Sequence, residues 1–261
     1  MRFKQGLSLI SMLMIVTSTG FALEPIASNR QTPLLFSKLS ENIRSSGVAT
    51  FSLGPVWESA GDTQTFYLAP ETEKTYAANH ASHSLTDGEI FLGIQKPLRA
   101  QLEGQIGLAL AMTDNAALTG NIWDDADPQF NNYSYNYNVR HTHIALKGKL
   151  LANIGYLVTP WVSGSVGVGF NQAHDFSNTP TISEAIVMPN FTSNTTSTLT
   201  YTLGVGIERT INPHLQVGIG YEFADWGKSQ LGRAAGQTMS TGLSLSHLYT
   251  NGFLCNLTYL S

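Results

Sequence analysis

The 261-residue chain is poor in charge, in cysteine and in long apolar runs. Charged residues make up 12% of it, about half the share usual in soluble domains. Cys255 stands alone, which excludes an intrachain disulfide and a cysteine-built zinc site. No apolar stretch after residue 22 reaches the roughly 20 residues that a membrane-crossing helix needs. If the chain enters a membrane, it does so as strands. Hydrophobic content is ordinary at 42%, so the remaining polarity comes from Gly, Ser, Thr, Asn and Gln. That mix suits a sheet with one apolar and one weakly polar face.

The N-terminus follows a secretory pattern. Arg2 and Lys4 are a positive start, Leu7 to Val16 is a short apolar core, and Gly20-Phe21-Ala22 places small residues at a cleavage site. A signal peptide over residues 1–22, cut after Ala22, is expected. Without Arg2 and Lys4, twelve basic residues face eighteen acidic ones, a formal charge of −6. Such a chain has no general electrostatic pull toward nucleic acid, and nucleic acid is not expected as a partner. Residues 23–46 show no alternation. Leu34-Leu35-Phe36, Leu39 and Ile43 suggest a periplasmic arm or short helix there.

The rest of the chain, residues 47–261, alternates with period two in stretches of about ten residues. Ala100, Leu102, Gly104, Ile106, Leu108 and Leu110 oppose Arg99, Gln101, Glu103, Gln105, Gly107 and Ala109. Leu199, Tyr201, Leu203, Val205 and Ile207 oppose a face of Thr, Gly and Glu208. Eight such strands are expected, with cores at 48–57, 88–96, 99–112, 137–150, 156–170, 196–209, 214–226 and 250–260. Pro55 in the first fits only a strand end or a position needing no ladder donor. Short connections (Lys96-Pro97-Leu98, Leu151 to Gly155, Thr210 to Pro213) alternate strictly with long ones (58–87, 113–136, 171–195, 227–249). This is the layout of a transmembrane barrel with short inner turns and long outer loops. An open sheet edge is not viable in lipid, so the expected fold is all-β: an eight-stranded, antiparallel, up-and-down transmembrane β-barrel behind a signal peptide. Trp57, Phe170 and Trp226 at one end, and Tyr156, Trp161 and Tyr259 at the other, are placed as interfacial girdles.

The closing segment, Gly252-Phe253-Leu254-Cys255-Asn256-Leu257-Thr258-Tyr259-Leu260-Ser261, carries a family likeness together with the strand–loop layout. The chain resembles the small outer-membrane barrels: the OmpA transmembrane domain, OmpX and opacity-type surface antigens. Phe253, Leu257 and Tyr259 match the closing alternation of those families, and Ser261 stands where they end in an aromatic. No domain of the kind that follows the OmpA barrel is expected. The resemblance implies location in a bacterial outer membrane, contact with its lipid and lipopolysaccharide, and recognition of the last strand by the barrel assembly machinery. It implies a scaffold whose surface loops meet host or extracellular ligands, or else a narrow porin-like channel for small solutes. Barrels that modify lipid A are the third class, but Ser244, Ser246 and His247 have no evident base-and-acid partner in the sequence, and no catalytic residue or cofactor is expected.

The inward face is expected to hold Glu89, Gln95, Arg99, Gln101, Glu103, Gln105, Arg140, His141, His143, Lys147, Lys149, Glu208 and Glu222. Eight strands leave an interior that side chains fill, and buried charges there must pair. A Glu103–Lys147/Lys149 contact is expected. His141-Thr142-His143 and Asp124-Asp125-Ala126-Asp127 have spacings that metals use elsewhere, but lumen polarity and a solvated acidic loop account for them, and no metal is expected.

Overall fold

The computed structural model describes residues 45–80 and 82–261. The signal segment and most of the arm lie outside the described residues. The barrel strands are β1 (Ser46–Ser59), β4 (Ser84–Arg99), β5 (Leu102–Asp124), β6 (Asn131–Ala152), β7 (Thr159–Pro180), β8 (Asn194–Asn212), β9 (Leu215–Asp225) and β12 (Tyr249–Leu260). Two hairpins lie between them: β2 (Gln64–Ala69) with β3 (Thr72–Ala78), and β10 (Ser229–Gln230) with β11 (Ser244–Leu245). Each barrel strand pairs antiparallel with its neighbours. The ring closes because β1 pairs with β4 on one side, Phe51 opposite Ile90, and with β12 on the other, Phe51 opposite Leu257. The fold is thus a closed, eight-stranded, up-and-down barrel.

The alternation has a direct physical outcome. Ile90 and Leu92 on β4, Leu108 on β5, Leu146 on β6, Val166 on β7, Leu203 on β8, Ile219 on β9 and Phe253 on β12 all point outward and are exposed. The charged residues nearest this belt, Lys96, Arg209, Asp114 and Arg140, stand at its two edges. A soluble surface does not carry a continuous aliphatic ring. On β5 the belt runs from Gly104 to Met112. At ~3.3 Å per residue and a tilt of ~40°, that is about 20 Å, close to the apolar band of a spanning barrel.

Several boundaries differ from expectation, each for a local reason. β4 continues through Pro97 to Arg99, and the turn falls at Ala100-Gln101. The ladder to β5 absorbs the missing proline N–H in an irregularity between Pro97 and Arg99. Pro55 sits inside β1 rather than at its end. Its pairing with Thr86 persists, and the ladder to β12 lapses at Gly54 and Pro55. The strands also run far beyond the belt. β5 reaches Asp124 and β6 starts at Asn131, so most of the expected loop 113–136 is sheet. β7 reaches Pro180 in the same way. Bulges mark the passage out of the membrane: β5 shifts register between Met112 and Asn115, and Asp175 on β7 takes φ 56, so that Ala173 and Phe176 both face inward.

The outer extensions close over the barrel mouth. Tyr133, Tyr135 and Tyr137 on β6, Phe176 on β7, Tyr76 on β3 and Phe191 pack into one buried aromatic cluster. Tyr135 and Phe176 stack with centroids 6.0 Å apart, and Tyr76 lies 5.4 Å from Phe191. Leu231, Leu243, Leu245 and Leu248 continue this core down to Trp226, which is fully buried. The expectation of four long loops is corrected here: they hold strand extensions and a hydrophobic core of their own. Trp226 and Trp161, placed above as interfacial girdle residues, are buried inside the barrel, whereas Trp57, Phe170, Tyr156 and Tyr259 are exposed.

Candidate functional site: the lumen and its outer cap

The lumen is built by inward positions of facing strands. Lys147 on β6 reaches across to β4 and β9. Its Nζ donates to both carboxylate oxygens of Glu89, at 2.6 and 2.8 Å, and to Glu222 Oε2 at 3.0 Å. One turn of the pleat lower, Lys149 donates to Glu208 and lies 4.7 Å from the centroid of Trp161, within cation–π range. All five ionisable side chains are buried. Each lysine needs its carboxylate, because a buried, unpaired charge costs several kcal/mol.

Glu103 is not a partner of either lysine. It accepts a hydrogen bond from Gln95 Nε2 at 2.6 Å, and Gln95 Oε1 accepts one from Gln105 Nε2 at 2.7 Å. Gln105 is buried, whereas Glu103 and Gln95 are only half-buried near the inner opening. The lysines bypass Glu103 because the strand register sets Lys147 opposite Gly107 and Lys149 opposite Gln105, while long side chains find carboxylates across the lumen. Arg99 and Gln101 lie at the inner turn and are exposed rather than lumenal. Arg140 points outward, as it must one residue from the inward His141.

Trp161 fills the space beside this network. Its ring lies against Gly206 and Gly220, where an added Cβ would overlap it. At Gly220 the indole sets that requirement, and at Gly206 the Ile219 carbonyl approaches as closely as the ring does. Gly220→Val is therefore expected to prevent folding, seen as loss of the faster-migrating unboiled band on a denaturing gel. Trp161→Leu in the same chain should restore that band. Unchanged migration of the single variant would contradict this packing. A cavity of about 30 Å³ remains beside this network, room for one or two water molecules. Gln105 Oε1, Ser163 Oγ and Trp161 Nε1, each buried without a protein partner, line it.

The two histidines sit at the top of the lumen. Asn171 Nδ2 donates to the carbonyls of Trp226 and Lys228, each at 2.8 Å, which fixes Asn171 Oδ1 as the acceptor for His141 Nδ1. His141 Nε2 then accepts from His143 Nδ1 at 3.2 Å. Trp226 covers both rings at 4.1 and 4.8 Å and donates from Nε1 to Thr250 Oγ1 at 2.9 Å. Both imidazoles are fully buried, and His143 Nε2 has no protein partner. Trp226 was placed at the outer girdle and Asn171 was not singled out in the sequence; both fall in the period-two pattern at inward positions, Asn171 just beyond an expected strand end drawn too short.

Of the outer-loop candidates, Asp124 is held by Lys74 and by Asn132 Nδ2 at 2.6 Å, and Asp127 caps the turn at Pro128–Phe130 through Gln129 N at 2.9 Å. His83 lies 3.2 Å from Glu58. Burial holds the Glu58 carboxyl above its ordinary range, with His83 pulling the other way. His247 does have an acid partner that the sequence did not reveal, Asp225 Oδ2 at 3.0 Å. Ser244 Oγ donates to Gln64 Oε1, and Ser246 meets Asp62 through its backbone N–H.

An apolar belt, a paired charge network inside it and a packed cap above it define a transmembrane β-barrel. No family model matches the chain, and no curated protein matches it in sequence. Among solved structures it is similar to Neisserial surface protein A, at 8% identity and TM-score 0.44 over 83% of this chain and 98% of that one. It is also similar to the outer-membrane protease OmpT of Escherichia coli, at 10% identity and TM-score 0.47 over 85% and 100%. A third is the outer-membrane protein OprG of Pseudomonas aeruginosa, at 10% identity and TM-score 0.38 over 83% and 97%. At this distance the likeness is one of layout and assigns no activity.

Proposed function

We propose that the protein is an integral outer-membrane barrel that works as a closed scaffold, presenting a folded outer cap to the cell's surroundings. One observation carries the reading: the Lys147 and Lys149 ion pairs and Trp161 fill the middle of the lumen, with a cavity of about 30 Å³ beside them, beneath an outer mouth filled by the aromatic cluster. The aliphatic belt supports embedding in membrane lipid. The secretory pattern at the N-terminus and the alternating last strand support export, delivery to the barrel assembly machinery and a place beside lipopolysaccharide. The cap exposes Asn131, Asn136, Thr179 and Thr181, and such a polar surface supports contact with a host or extracellular ligand. A pore for solutes would need a continuous water path, and catalysis would need a nucleophile within reach of His247.

Planar-bilayer recording tests this. The purified, heat-modifiable protein is expected to give no steady unitary conductance at 1 M salt. Reproducible open-channel steps, abolished in a cross-linked lumen, would replace the scaffold with the narrow channel.

A further inference from the structure

The cap contains a second cavity, separate from the lumen. It has a volume of about 280 Å³ and lies between the β2–β3 hairpin, the 181–193 connection and the 231–239 segment. Its floor is aromatic: Tyr76, Phe176 and Phe191, all buried. Leu68, Met188 and Ala234 form its sides.

The walls are fixed independently of any ligand. Thr238 N and Met239 N both donate to Leu68 O at 3.0 Å, tying the 231–239 segment to the hairpin. A bridge between Phe191 and Ala234 ties the same segment to the 181–193 connection. Asn178 spends its amide on Met188 O, Asn190 Oδ1 and Met188 N. Gln237 spends its own on Ala234 N, Met239 O and Thr241 O. Walls ordered in advance lower the entropy cost of binding.

The groups left for a ligand are few. Lys74 and Thr72, two residues apart on β3, line the cavity. The Lys74 ammonium has three donors, of which one goes to Asp124. Because Asp124 already balances its charge, an anionic head gains little there, and a neutral acceptor gains a charge-assisted hydrogen bond. The volume exceeds the ~150 Å³ that holds a benzene ring and lies just below the range of drug-sized pockets.

We propose that this cavity is a binding site for a small neutral aromatic molecule, of one ring with a short side chain or two fused rings, carrying one hydrogen-bond acceptor that Lys74 reads. The proposal rests on the reading of the cap as folded, and not on the lumen being closed, so a conducting barrel would leave it standing.

The test uses fluorine NMR with 4-fluoroacetophenone as probe and the protein in lipid nanodiscs, with empty nanodiscs as the control for partitioning. Each variant is first checked for its unboiled fast-migrating band. The wild type is expected to broaden the probe signal well beyond empty nanodiscs. Ala235→Trp, at an exposed position lining the cavity, should abolish the excess by filling it. Lys74→Met should weaken binding about tenfold, as loss of one hydrogen bond to a charged donor implies. It should leave 4-fluoroethylbenzene, which has the shape without the acceptor, unchanged. Equal broadening by empty nanodiscs, or undiminished broadening by Ala235→Trp, overturns the site. Equal binding of the two probes to the wild type overturns the role of Lys74.

Discussion

Lys147→Met is expected to destabilise the barrel by ~3–5 kcal/mol, the usual result of removing one partner from a buried ion pair. Lys147 is the only cation within hydrogen-bond distance of Glu89 and Glu222 among the described residues. Methionine keeps the volume of the stem but leaves two buried carboxylates close together inside the barrel. The midpoint of urea unfolding in lipid vesicles should fall accordingly. Adding Glu89→Gln and Glu222→Gln should recover most of the loss, because a neutral network carries no unpaired charge. A single-variant loss under ~1 kcal/mol would mean that water reaches these groups and that the lumen is open.

Trp226→Ala is the second large effect, expected to cost ~3–5 kcal/mol. This side chain has no exposed surface and joins the two halves of the molecule. It covers His141 and His143 below and meets the cap leucines above. Its removal also strips Thr250 of its indole donor. Beyond a lower unfolding midpoint, residues 181–193 and 227–248 should become protease-sensitive in intact vesicles. Trp226→Phe keeps much of the volume and should leave the cap resistant. Protease resistance in the alanine variant would show that the cap folds independently of the lumen.

The membrane-spanning part of the fold was legible in the sequence because period-two alternation is a local signal. Ile106, Leu108 and Leu110 against Gln105, Gly107 and Ala109 need nothing beyond their own strand to declare two faces. The extensions were harder. Tyr133, Tyr135 and Tyr137 keep the alternation, but both of their faces meet something other than lipid, so the intervening Asn and Ser residues resembled a loop. The bulges at Met112–Asn115 and at Asp175 break the pattern where the strands leave the belt.

Partners across the lumen were not legible at all. That Lys147 and Lys149 face inward follows from their own strand. That they choose Glu89, Glu222 and Glu208 over the nearby Glu103 depends on the barrel's stagger and on side-chain reach across it. Trp226 and Trp161 misled for a related reason. A tryptophan near a strand end fits a membrane interface equally well, and only parity along the strand, with the ring lying over Gly206 and Gly220, turns it inward.

The most direct measurement is residue-resolved amide hydrogen exchange of the protein in lipid bilayers, read along the outer stretches 115–124, 131–141 and 172–180. The folded, sealing cap predicts protection there comparable to that of the belt residues 104–112. Exchange within seconds in all three stretches, beside a protected belt, would mean loose loops over an open mouth and would contradict the account.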